Sequence, residues 1–192
     1  MRAAQTRDAI IEASRKLFLE RGFAGTRINN ITDACGISRA GFYTYFKDKQ
    51  EVFSLIGEAT YREIIEVVNR WDELPTPCSI ADVEGWIREY FAFMDRHGAF
   101  IFSSTQSAPS DPRIRANSER MQMRVGWMLG SGLRTRQASP TDAPDALGLT
   151  TLAMLDRSWF YAHAQGLPVE DADLIRAIAV AIMGILGGPA AQ

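Results

Sequence analysis

The stretch GISRAGFYTYFKDKQEVF, Gly36 to Phe53, decides how the first part of the chain is read. It crowds Phe42, Tyr43, Tyr45 and Phe46 together and flanks them with Arg39, Lys47 and Lys49. A wholly buried helix has no use for that much charge and hydroxyl, and an ordinary surface helix has no use for that many rings. The segment RAGFYTYF therefore reads as a helix of barely two turns with two different faces. Ser38 stands at its N-cap position, and Asp48 stands at the N-cap of the helix that follows. Phe42 and Phe46 point inward to hold it in place.

Upstream, RINNITDAC reads as a second short helix with Ile28 and Ile31 inward and Thr26 where an N-cap belongs. Gly36 ends it, because the tight turn needs a left-handed residue. Residues 7–21 read as a longer helix, with Ile10, Ala13, Leu17 and Phe18 in one apolar stripe and Gly22 as its C′ residue. Two short helices joined by CGIS have the form of a helix-turn-helix. Such a unit cannot bury a core alone, so the first helix and the start of the fourth must complete it.

The rest of the chain is helical in pattern, and the expected class is all-α. No hairpin dipeptide or sustained alternation marks a strand. The fourth helix runs to about Asp72, LPTPC breaks the chain, and helix returns over 80–96. A short apolar helix covers HGAFIFSSTQSA. Asp111 is an N-cap candidate for a long helix to about Arg136, and two final helices cover roughly 144–165 and 170–187. The expected organisation is a helix-turn-helix domain over 1–50 and a helical ligand-binding and dimerisation domain over 51–192.

The charge is uneven. The 192 residues carry a net −2, but residues 1–50 hold nine Lys/Arg against five Asp/Glu, and the remainder holds twelve against eighteen. A basic head on an acidic body suggests that the head meets a polyanion. Two cysteines and two histidines, scattered, form no zinc spacing. No P-loop, G-x-G-x-x-G or G-x-S-x-G occurs, so neither an enzyme nor a cofactor is expected. No signal-peptide pattern is present, and the most apolar segment, 177–188, falls short of the roughly 20 residues of a membrane span. The expectation is a cytoplasmic protein with no membrane partner.

The last two helices are apolar nearly all round, which calls for cover on more than one side. Either the two helices form the centre of a monomeric core, or, as the pattern favours, they make a two-fold homodimer through Leu152, Leu155, Trp159, Ile175, Ile178, Ile182 and Ile185. Between them and the head, large side chains accumulate. Trp86, Tyr90, Met94, Met123, Trp127, Trp159 and His163 are candidates to line an apolar cavity, with Asp156, Gln106 and Arg124 as further polar groups on its wall.

Residues 6–53 closely resemble the N-terminal domain of the TetR family of transcriptional regulators. The match runs without gaps through Phe18, Gly22, Phe23, Thr26, Ile31, Gly36, Ser38, Tyr43, Tyr45, Phe46, Lys47, Lys49 and Glu51. Thr32 stands where the family usually has a small Ala, and Gly41 where Thr or Ser is common. The resemblance implies a DNA-binding head, a body that dimerises through its last two helices, and a pocket for a small effector.

With that resemblance, the opening stretch has a target. Arg39, at the start of its helix, is long enough to reach guanine O6 and N7 in a major groove. Ala40 and Gly41 let the backbone come close. Tyr43 and Tyr45 can reach phosphate oxygens, as can Ser38 and Lys47. Lys49 offers a cation beside the start of the fourth helix, and Thr26 and Arg27 do the same at the second. The implied protein is a regulator, by family habit a repressor, bound as a homodimer to a palindromic double-stranded operator and released by a small apolar or aromatic effector. Gly41 and Thr32 leave open a second reading, a helical small-molecule-binding or interaction protein with a weakened head.

Overall fold

The structure, a computed structural model, describes residues 2–106 and 112–187. Asp111 and the side chain of Gln106 lie outside it, so neither role proposed for them is addressed. Among the described residues eight α-helices follow one another: α1 (Arg2–Gly25), α2 (Ile28–Cys35), α3 (Arg39–Tyr45), α4 (Lys49–Glu73), α5 (Ile80–Gln106), α6 (Pro112–Arg134), α7 (Pro144–Trp159) and α8 (Asp171–Leu186). A π-helical turn, Phe160–Ala164, extends α7. No strand occurs among the described residues, in keeping with the all-α expectation.

Two helices differ from their sequence reading. α1 begins at Arg2, and its C-terminal part is interrupted at Gly22, whose φ of 67° lets the chain kink before Gly25. HGAFIFSSTQ continues α5 instead of forming its own helix, because Gly98 is tolerated within a strong helical pattern. At the start of α5, the Ser79 N–H and hydroxyl donate to Asp82 Oδ2 at 2.7 Å each, and the Asp82 N–H returns a bond to Ser79 Oγ. This reciprocal cap fixes the helix start after the proline break.

The chain divides into two compact units, Met1–Tyr61 with His97–Ser118, and Arg62–Arg96 with Glu119–Gln192. The first therefore takes in more than residues 1–50. Its core joins Ile10, Leu17, Phe18, Ile31, Phe42, Phe46, Phe53 and Ile56, all nearly or fully buried. Phe53 meets the rings of Phe18, Phe23 and Phe100 at centroid distances of 5.6, 4.9 and 4.7 Å, separations at which ring edges meet faces favourably. As expected, α2 and α3 lean on residues supplied by α1 and α4.

The second unit packs Trp71 edge-on to Trp86 at 5.1 Å. The Trp86 indole N–H donates to the Val67 carbonyl at 2.9 Å. Arg136 closes the end of α4: its guanidinium donates to the carbonyls of Trp71, Leu74 and Pro75 at 3.2, 2.7 and 2.6 Å. A cation there also complements the negative end of the helix dipole. α6 and α7 come into close contact at Gly126, Gly130 and Gly148, where a Cβ on any of the three would overlap the other helix.

Candidate nucleic-acid interface

Local capping sets α3. Gly36 takes φ 65° at the end of α2, and the Ile37 N–H reaches back to the Thr32 carbonyl at 3.0 Å. The Thr32 hydroxyl bonds to the Asn29 carbonyl at 3.0 Å, which lets a polar residue occupy this buried position. Ser38 Oγ accepts the Gly41 N–H at 3.0 Å, and Asp48 Oδ1 accepts the Glu51 N–H at 2.8 Å. Both caps stand where the sequence pattern places them.

With Phe42 fully buried and Phe46 nearly so, the opposite side of α3 faces solvent. Arg39 and Ala40 are exposed there, and Tyr43 is 46 % exposed. The Arg39 guanidinium donates to Asn29 Oδ1 and to the Tyr43 hydroxyl at 3.3 Å each, and lies 5.8 Å from the Tyr43 ring centre. A planar five-donor cation is thus oriented between α2 and α3 before anything binds. Sequence reasoning does not single out Asn29. Its signal is weak, an exposed Asn ten residues before Arg39 on a different helix.

The other residues assigned from sequence divide into two groups. Arg27 and Lys47 are exposed; their backbone N–H groups are bonded to Asn30 Oδ1 at 2.9 Å and Glu51 Oε2 at 2.8 Å. Gly41 and Tyr45 are half-buried, and Tyr45 packs against the core of the unit.

Thr26 and Lys49 have internal partners instead of open ones. Thr26 is fully buried, and its hydroxyl bonds to the carbonyls of Leu17 at 3.1 Å and Gly22 at 2.8 Å. It ties down the kinked end of α1; Arg27 takes the N-cap position of α2. Lys49 Nζ donates to the carbonyls of Phe23 at 2.5 Å and Thr26 at 2.7 Å and lies 4.2 Å from the Phe23 ring centre. Burial pushes its pKa below the usual lysine value. The cation joins the end of α1 to the start of α4 and is not presented to a ligand. Lys49→Met keeps the hydrocarbon stem and removes the charged donor, so it is expected to cost about 2 kcal/mol of stability. Thermal unfolding checks the cost. The salt dependence of DNA binding is expected to stay unchanged.

Cys35 is half-buried, its thiol directed at the Ala9 carbonyl at 3.4 Å, and burial raises its pKa, which disfavours the reactive thiolate. Among the described residues no cluster of His, Cys, Asp and Glu could hold a metal ion, and no helix is long and apolar enough to cross a membrane.

The seven residues assigned to an effector cavity are not gathered around one cavity. Trp86, Tyr90 and Met94 are buried core, whereas Met123 and Trp127 are 45 % and 56 % exposed. Two of these residues bond to carboxylates of their own chain: the Tyr90 hydroxyl donates to Asp156 Oδ1 at 2.6 Å and the Trp159 N–H to Asp95 Oδ1 at 2.8 Å. His163 stacks on Trp159 and lies between Asp95 and Asp171, at 3.2 and 3.0 Å. An open groove of about 380 Å³, lined by Arg88, Phe91, Asp95, His163, Asp171 and Ile175, includes His163 alone of the seven.

The residues assigned to the dimer interface are likewise covered within one chain. Leu152, Leu155, Trp159, Ile175, Ile178 and Ile182 are at most 8 % exposed, and Ile185 is half-buried. The outward faces carry smaller residues. Ala146, Thr150, Ala153 and Arg157 form an exposed stripe on α7, and Ala177, Val180, Ala181 and Gly184 form another on α8.

Residues 10–56, the helices just described with the start of α4, match the family model for bacterial regulatory proteins of the tetR family. The N-terminal part of the chain is thus similar to the DNA-binding domain of that family. The HTH-type transcriptional repressor BepR of Brucella suis is 37 % identical over 83 residues, 42 % of this chain. The chain spans 39 % of BepR's length. The HTH-type transcriptional regulator UidR of Escherichia coli is 22 % identical over 194 residues, covering 97 % of this chain and 93 % of that protein. The TetR-family regulator PfmR of Thermus thermophilus shares the fold, with a TM-score of 0.72 at 21 % identity over 97 % of this chain and 98 % of that one. The family and these named relatives are transcriptional regulators, not enzymes.

Proposed function

We propose that the chain is a sequence-specific DNA-binding regulator, a repressor like the named BepR, that acts as a homodimer on a palindromic operator. The observation that carries this reading is the two-sided α3. Its buried rings anchor it to the core, and its exposed side holds Arg39 in place between Asn29 and Tyr43. That is the arrangement a recognition helix needs to put a guanidinium on a guanine edge. The exposed stripes of small residues on α7 and α8 support dimerisation, since small side chains let two-fold-related helices approach closely. Two heads then imply two half-sites, about 34–36 Å apart. Release by a small apolar or aromatic effector rests on family likeness, and it requires an effector that binds the DNA-free state more tightly.

Selection of bound sequences from a random duplex pool at near-physiological salt tests the reading. A palindrome is the expected product; no enrichment and no salt dependence would contradict a DNA-reading head. Arg39→Ala is expected to lose about 1–3 kcal/mol of discrimination at one base pair of each half-site, leaving the salt slope nearly intact. Competition binding with single-base operator variants measures this.

A further inference from the structure

Met123 and Trp127 lie one turn apart on the same face of α6 and are 45 % and 56 % exposed. Arg120 and Arg124 are exposed beside them. A second apolar patch, Tyr161, Leu167 and Val169, is 45 %, 45 % and 48 % exposed. It adjoins the exposed acidic residues Glu170, Asp171 and Asp173 at the start of α8. Arg157, near that end, is turned over the Phe160 and Tyr161 rings at 5.2 and 5.8 Å. The two patches are alike in apolar character and opposite in charge. Exposed Trp and Met flanked by Arg is the composition enriched at protein interfaces.

Their places along α7 add a geometric argument. Gly126, next to Trp127, packs on Leu149 near the start of α7, whereas Tyr161 lies just past its end. Twelve residues of helix separate Leu149 from Tyr161, about 18 Å. The exposed stripe Ala146, Thr150, Ala153 and Arg157 lies along this part of α7. If two α7 stripes meet antiparallel about a two-fold axis, the basic end of each chain falls on the acidic end of the other. A parallel meeting would oppose like charges.

We infer that Met123, Arg124 and Trp127 form a clasp that seats on Tyr161, Leu167, Val169 and Glu170 of a second copy of this chain, made twice per dimer. The inference rests on the homodimer reading and names a contact outside the α7 and α8 stripes. Trp127 is the apolar anchor, and Arg124 pairs with Glu170 of the partner subunit.

Sedimentation equilibrium of the full chain tests it. Trp127→Ala is expected to raise the dimer Kd by about tenfold or more. Arg124→Glu and Glu170→Arg should each weaken association several-fold, and the chain carrying both should recover to within about threefold of wild type. That recovery is not expected of a merely structural role. If these variants leave Kd unchanged while Ala153→Arg dissociates the dimer, the clasp is wrong and the stripe dimer stands. A wild-type chain that remains monomeric across the micromolar range overturns both.

Discussion

Gly130→Ala is expected to destabilise the chain by about 3 kcal/mol or more, among the largest effects of any single methyl group in the protein. A Cβ at Gly130 would fall 2.6 Å from the Pro144 carbonyl carbon and 2.8 Å from the Gly148 nitrogen. Both are backbone atoms, so no side chain can swing away to make room. α6 and α7 would have to part, and Gly126 and Gly148, in the same crossing, would lose their contact with the opposite helix. Overpacking of a tight core commonly costs about 1–3 kcal/mol, and immovable backbone neighbours put this site at the top of that range. Gly85→Ala is the control. It lies inside α5, where a Cβ meets nothing within 4 Å, so better helix propensity should make it more stable by up to about 1 kcal/mol. Urea unfolding of the two variants gives the comparison. Equal and small effects would mean that the helix crossing yields easily and that its glycines are incidental.

The same crossing shows where sequence reading loses its grip. A glycine in a helical pattern reads as a weak helix former, and nothing local marks Gly130 and Gly148 as partners from two different helices. Capping was legible, because Ser38, Gly36 and Asp48 act within three or four residues of themselves. The two-sided character of α3 was legible too, from its rings and charges. Thr26 and Lys49 were misread for a physical reason: a hydroxyl or ammonium that can bind phosphate can equally bind a backbone carbonyl. The kink at Gly22 leaves carbonyls near Phe23 and Thr26 that Lys49 fills. In α7 and α8 the amount of apolar surface was plain, but not what covers it. The large residues proved to be covered by their own chain, and smaller ones were left facing outward. Met123 and Trp127 failed as cavity residues because a large apolar side chain looks the same in sequence whether it lines a pocket or a surface.

Asp156→Asn is expected to stabilise the chain at neutral pH by about 3 kcal/mol and to do so less and less as the pH is lowered toward 4. Burial lifts the Asp156 carboxyl from an ordinary 3.8 to about 6, partly opposed by the hydrogen bond donated from Tyr90 and by Arg157. Between those two values the folded chain holds a proton that the unfolded chain has lost. Stability from this group is therefore fully present below about pH 4 and falls as the pH rises through 6. At about 1.4 kcal/mol per pKa unit, the loss reaches about 3 kcal/mol. The amide that replaces the carboxyl has no charge to desolvate. Its oxygen can still accept from the Tyr90 hydroxyl, which stands 2.6 Å from Asp156 Oδ1 in the wild type. Denaturant unfolding of both proteins between about pH 4 and 7.5 measures the difference directly. It should grow across that window; a constant offset would show that Asp156 titrates near its ordinary value and that its ionised form is well solvated. Tyr90→Phe gives the complementary result. Removing the donor takes away the bond that lowers the Asp156 pKa, so the transition should move to higher pH, and the buried carboxylate should then cost the fold more at neutral pH than it does in the wild type.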